Sequence, residues 1–127
     1  MYRVYYQLQT LTAAVVNGAC IEFLQKQLDA SNCFGIRAFA RLHNCTELLA
    51  SSETLIKKQF LEVVKSDEFL SLSFEDVVKI ISWNDLAVPN EEKVFESVIK
   101  WVKKDLDQRK DFLTELMEHV RLHNNNI

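Results

Sequence analysis

Cysteine and histidine are the residues of this chain best equipped to hold a metal or act as a nucleophile, and the sequence has three of each. Cys33, His43 and Cys45 supply the thiolate and imidazole donors that zinc prefers. No fourth ligand accompanies them. Cys33 and Cys45 also fall at opposite ends of one predicted helix, and a rise of about 1.5 Å per residue separates them by more than a single ion bridges. His119 and His123 are four residues apart and share a predicted helix face. Their surroundings differ from those of a metalloprotease pair, and a helix C-terminus by itself favours an imidazolium. A nucleophilic Cys20 would need a base and an electropositive setting, yet it lies on an apolar stripe with Val16, Phe23 and Leu24. The carboxylate pairs Glu91/Glu92 and Glu47/Glu53 have no glycine-rich loop or histidine partner and read as solvated helix faces. Trp83 stands beside Asn84 and Asp85 in a connector and is expected to fold back onto the core. No catalytic, cofactor-binding or metal-ligating residue is therefore expected, and the chain does not read as an enzyme.

The 127 residues are enough for one core, so a single domain spanning 1–127 is expected. Apolar residues at 48% and charged residues at 26% are globular proportions. A formal charge of -3 and the absence of a long basic cluster argue against nucleic acid as partner. Three cysteines without a CxxC fit reduced thiols in a cytosolic or nuclear protein better than a disulfide framework, and a cytoplasmic location is expected. The opening "MYRVYYQLQTLTAAVVNGAC" superficially resembles a signal peptide, but Gln7, Gln9 and Asn17 interrupt its apolar run. No stretch is long and apolar enough to span a bilayer, so no membrane partner is expected.

With two glycines and one proline, the chain lacks the turn residues of a many-stranded sheet, and its apolar spacing is helical throughout. A stripe from Leu11 to Leu28 ends at "DASN", and Ser31 or Asn32 can cap a short helix through "CFGIRAFARLH". Gly35 in that helix allows a close approach. A longer helix is predicted from Thr46 to about Ser66, followed by "DEFLSL" as a connector. Ser73 and Asp76 form a capping box before "FEDVVKIIS". "WNDLAVP" then turns the chain into "NEEKVFESVIKWVKKD", where Asn90 is the cap and Glu91 and Glu92 complement the dipole. Val94, Phe95, Val98, Ile99, Trp101 and Val102 form its inward face. A last helix capped by Asp107 turns Phe112, Leu113, Leu116, Met117 and Val120 inward, leaving 124–127 as a frayed tail. Short amphipathic helices with brief connections predict an all-α fold of stacked antiparallel helical hairpins.

The order of the motifs is more specific than any one of them. "CIEFL", "QLDASNCFGIRAFA", "HNCTELL", "DEFLSL", "VPNEEKVFESVIKWVKKD" and "LMEHVRL" follow one another as in the BACK domain of BTB-BACK-Kelch proteins, which residues 11–122 resemble. The resemblance implies a non-catalytic linker in a substrate adaptor for the cullin-3 ubiquitin ligase. Residues 11–28 would correspond to the second helix of the three-box, the family's first hairpin, which adds to the cullin contact. The first three-box helix is replaced by "MYRVYYQLQT" and the closing helices are missing, so the domain is expected to be truncated at both ends. A homodimer is expected only through a BTB domain outside this chain. The alternative reading is a free-standing helical module that binds a peptide or helix in the groove left by the missing helices.

Overall fold

The computed structural model describes residues 21–125, with side chains through residue 120. Among these, every regular element is helical. A helix α1, described over 21–27, is followed by α2 (Cys33–Leu42), α3 (Thr46–Lys58), α4 (Phe60–Val63) and α5 (Asp67–Leu70). Then come α6 (Phe74–Ile81), α7 (Glu91–Lys104), α8 (Leu106–Arg109), a 3-10 turn (Lys110–Phe112) and α9 (Leu113–Asn125).

The α2–α3 hairpin turns at Asn44, whose φ of 55° lies in the left-handed region that asparagine tolerates better than most residues. The turn is closed by the Cys45 amide donating to the Ala40 carbonyl at 2.8 Å. Within the hairpin, Ile36, Ala40, Cys45 and Leu48 form a small core against Ile21, Leu24 and Leu28. The larger core draws on α2 to α9, where Ile56, Phe60, Phe69, Val77, Ile80, Val94, Val98, Trp101 and Leu116 are fully or almost fully buried. α7 packs on α9, and α6 and α5 close against the two of them.

Three boundaries differ from the sequence reading. The predicted helix 46–66 breaks at Gln59 (φ -114°, ψ 33°), without proline or glycine. The break lets Phe60, Val63 and Val64 enter the larger core, and the apolar spacing runs through it undisturbed, which hides it from periodicity. "DEFLSL" is not a bare connector. Ser66 accepts the Phe69 amide at 3.2 Å and so starts the single turn of α5, which buries Phe69. Asp107 does not cap the last helix, because it lies inside α8, and α9 begins only after the 3-10 turn. Of the tail 124–127, residues 124 and 125 continue α9.

The Ser73 and Asn90 caps form as expected, accepting the Asp76 and Lys93 amides at 3.2 Å each. Asn32 takes the cap position of α2, but its side chain serves the preceding turn. It accepts the Asp29 amide at 2.8 Å and donates to the Gln27 carbonyl at 2.6 Å. In the same turn the Ser31 hydroxyl and amide donate to Asp29, holding its carboxyl below the usual carboxylate range.

Candidate functional site

With Asn32 turned away, the first amides of α2 need another acceptor. Glu68 supplies it from α5. Its Oε1 accepts the Phe34 amide and its Oε2 the Gly35 amide, each at 3.0 Å. A carboxylate also suits the positive end of the helix dipole. The contact explains Gly35, because a Cβ there would lie 2.6 Å from the Glu68 Oε2 atom. Cys33 stands beside this carboxylate and is fully buried. Burial first, and the Glu68 charge second, push its thiol up to about 12. It is held as the neutral thiol, the form that is inert as a nucleophile.

A second fastening joins α5, α7 and α8. The buried Trp101 indole donates to the Leu72 carbonyl at 2.9 Å. Arg109 donates from one Nη1 to the carbonyls of Leu70 at 2.8 Å and Trp101 at 2.7 Å. Its guanidinium carbon lies 4.1 Å from the Trp101 ring centroid, within cation–π range. The carbonyls it grips are those that helix ends and the following turns leave without intrahelical partners. Phe112 stacks on Phe74 with centroids 4.3 Å apart and extends the contact toward α6.

A third fastening gathers around Trp83. The ring packs against the larger core, with the Arg37 guanidinium 5.5 Å and the Lys57 ammonium 5.1 Å from its centroid. Arg37 donates through Nε to Glu53 Oε2 at 3.2 Å, and Lys57 pairs with Asp85 at 3.2 Å. Glu47 and Glu53 therefore do not form one solvated face: Glu47 is exposed, and Glu53 bridges α3 to α2. The Lys57 carbonyl also accepts the Ala87 amide at 2.8 Å, tying the 82–90 connector to α3.

The metal-type residues stay apart. Cys33 is buried in the larger core at the start of α2 and Cys45 in the smaller one at the cap of α3, while His43 packs against Phe39 with the rings tilted and their centroids 4.4 Å apart. Among the described residues no three His, Cys, Asp or Glu side chains are grouped to share a metal ion. His119 Nδ1 lies 3.4 Å from the Ser82 hydroxyl, linking α9 to the end of α6. The His123 side chain and Cys20 lie outside the described residues, as does the stripe from Leu11 to residue 20. Glu91 and Glu92 occupy the first turn of α7, where the dipole accounts for them. Neither Glu68 nor Arg109 was marked by the sequence pattern. Glu68 grips main-chain amides 33 and 34 residues away, and Arg109 grips one carbonyl 39 residues away and another eight away, spacings that leave no periodic trace.

The all-α fold agrees with comparison to known proteins. The family model for BACK, BTB And C-terminal Kelch, matches residues 33–125. The chain belongs to the BACK family. Human Kelch-like protein 2 is 51% identical to this BACK domain over 107 residues, which are 84% of the chain and 18% of that protein. Mouse Kelch-like protein 3 is 50% identical over 103 residues, 81% of the chain and 18% of that protein. The chain thus spans about a fifth of the length of these curated relatives. Both Glu68 and Arg109 lie inside the matched region of the BACK domain. No described helix is long and apolar enough to cross a membrane.

Proposed function

We propose that this BACK domain is the non-catalytic linker of a cytoplasmic Kelch-like substrate adaptor for a cullin-3 ubiquitin ligase. Half-identity to Kelch-like proteins 2 and 3 is the observation that carries the reading. The geometry suits such a role, because long-range side-chain bonds to main-chain groups of other elements fix how the hairpins stack. The mechanism is positional: a stiff helical spacer sets the distance and angle between a cullin-binding module and a substrate-binding module. Cys33 does not serve as a nucleophile in this scheme, since its thiol is buried and neutral.

The test is affinity capture of the native polypeptide with an antibody raised against this region, followed by immunoblotting for cullin-3 and measurement of the captured mass. Co-capture of cullin-3 with a polypeptide several times heavier than 14.8 kDa is expected. A heavy polypeptide that never brings down cullin-3 would sink the adaptor assignment while leaving the BACK fold untouched.

A further inference from the structure

A cleft of about 240 Å³ lies between α4 and α7. Its floor is apolar, from Leu61 and Val64, and its rim carries Lys65, Lys93 and Lys100 with Glu96, while a second carboxylate, Glu62, stands just outside the lining against Lys65. The chain as a whole is negative, at -3, so this concentration of positive charge runs against its average. Lys93 and Lys100 are seven residues apart with Glu96 and Ser97 between them, which puts them on one face of α7.

Helix electrostatics does not account for this face. Lys93 is the third residue of α7, inside the positive first turn, where a capping box would place a glutamate or glutamine. The local carboxylates do not neutralise the rim firmly either. Glu62 reaches Lys65 and Glu96 reaches Lys93, both at 3.3 Å and both between solvent-exposed groups three residues apart. Such pairs are worth little and exchange readily for another carboxylate. Lys100 pairs with no carboxylate among the described residues.

We propose that the α4–α7 cleft docks an acidic polypeptide segment, one apolar side chain seated on Leu61 and Val64 and its carboxylates held by Lys65, Lys93 and Lys100. Cationic rim and apolar floor together select this partner: the charge steers the approach, and the floor rewards a leucine-sized anchor. The inference does not depend on the adaptor reading.

The test uses a short fluorescein-labelled peptide of repeating Glu-Glu-Leu and the whole chain, followed by fluorescence anisotropy. Saturable binding that weakens with added salt is expected. Lys65→Glu, Lys93→Glu and Lys100→Glu combined should lower the affinity by at least about tenfold. Lys103→Glu with Lys104→Glu, also on α7 but outside the cleft, should bind the peptide nearly as well as the parent. Replacing leucine by serine in the peptide should weaken binding several-fold if the floor takes part. Amide shifts on the unaltered chain provide a readout independent of variant folding, and they should cluster at Lys65, Lys93, Ser97 and Lys100. Failure to saturate, equal losses in the two lysine sets, or shifts centred elsewhere would overturn the proposal. So would a dimer in sedimentation that the triple variant dissolves, because the occupant would then be a second copy.

Discussion

The α2–α3 hairpin and the α7–α9 hairpin solve the same problem by opposite means. α7 is self-sufficient: its own Asn90 caps it, its own glutamates meet the dipole, lysines close its last turn, and Trp101 anchors it in the larger core. α2 has no acidic residue in its first turn and no cap from its own Asn32, and α3 begins at Cys45 without a side-chain cap. The buried residues of the small core between them, Ile36, Ala40, Cys45 and Leu48, are all short or medium side chains. What that hairpin lacks locally it borrows from Glu68. Helix order at α2 is therefore a tertiary property, whereas at α7 it is largely written into the local sequence.

The sharpest break in this comparison is expected at Trp101. Trp101→Ala removes a fully packed ring, strands the Leu72 carbonyl and takes away the ring beneath the Arg109 guanidinium, so we expect a loss of about 3 to 5 kcal/mol in urea denaturation. An unchanged midpoint would contradict its place in the core. The next effect should appear in alkali. The Cys33 thiol is raised from 9.0 to about 12 in the folded state, so between these values the unfolded chain has lost a proton that the folded chain keeps. Stability should fall as pH rises through that window, and Cys33→Ala should show a shallower fall in thermal melts. A fall of equal slope in both proteins would refute the assignment.

Glu68 offers a subtler test. Glu68→Ala should cost about 1 to 2 kcal/mol, in the range of losing a cap and leaving two amides to water. Gly35→Ala should cost a similar amount in the parent, because the new methyl displaces the carboxylate. In the Glu68→Ala background the same Gly35→Ala change should be neutral or slightly stabilising, since alanine is the better helix former. Additive losses in that cycle would show that the two residues do not meet. The smallest effect is expected from Lys93→Ala, within about 0.5 kcal/mol, because its pair with Glu96 is exposed.

Much of this arrangement was legible in the sequence. The all-helical class, the Ser73 and Asn90 caps, and the buried face of α7 follow from spacing and cap chemistry that act within a few residues. Gly35 was legible as a close approach, but not what approaches it. The break at Gln59 escaped because apolar spacing continues across it. Glu68 and Arg109 escaped for a different reason: a carboxylate in "DEFLSL" and an arginine in "DQRKD" look like ordinary surface charges until the helices that they grip are in place. Glu53 was misread for the same reason, its partner Arg37 lying on another helix.

The borrowed cap also has a consequence for how the chain is made. The ribosome synthesises α2 before Glu68, which lies 34 residues beyond Phe34 and 33 beyond Gly35. Until that residue emerges and the intervening loop closes, the first turn of α2 must be solvated by water. The hairpin nearer the start of the chain is thus born first and completed late, with α5 as the element that licenses it.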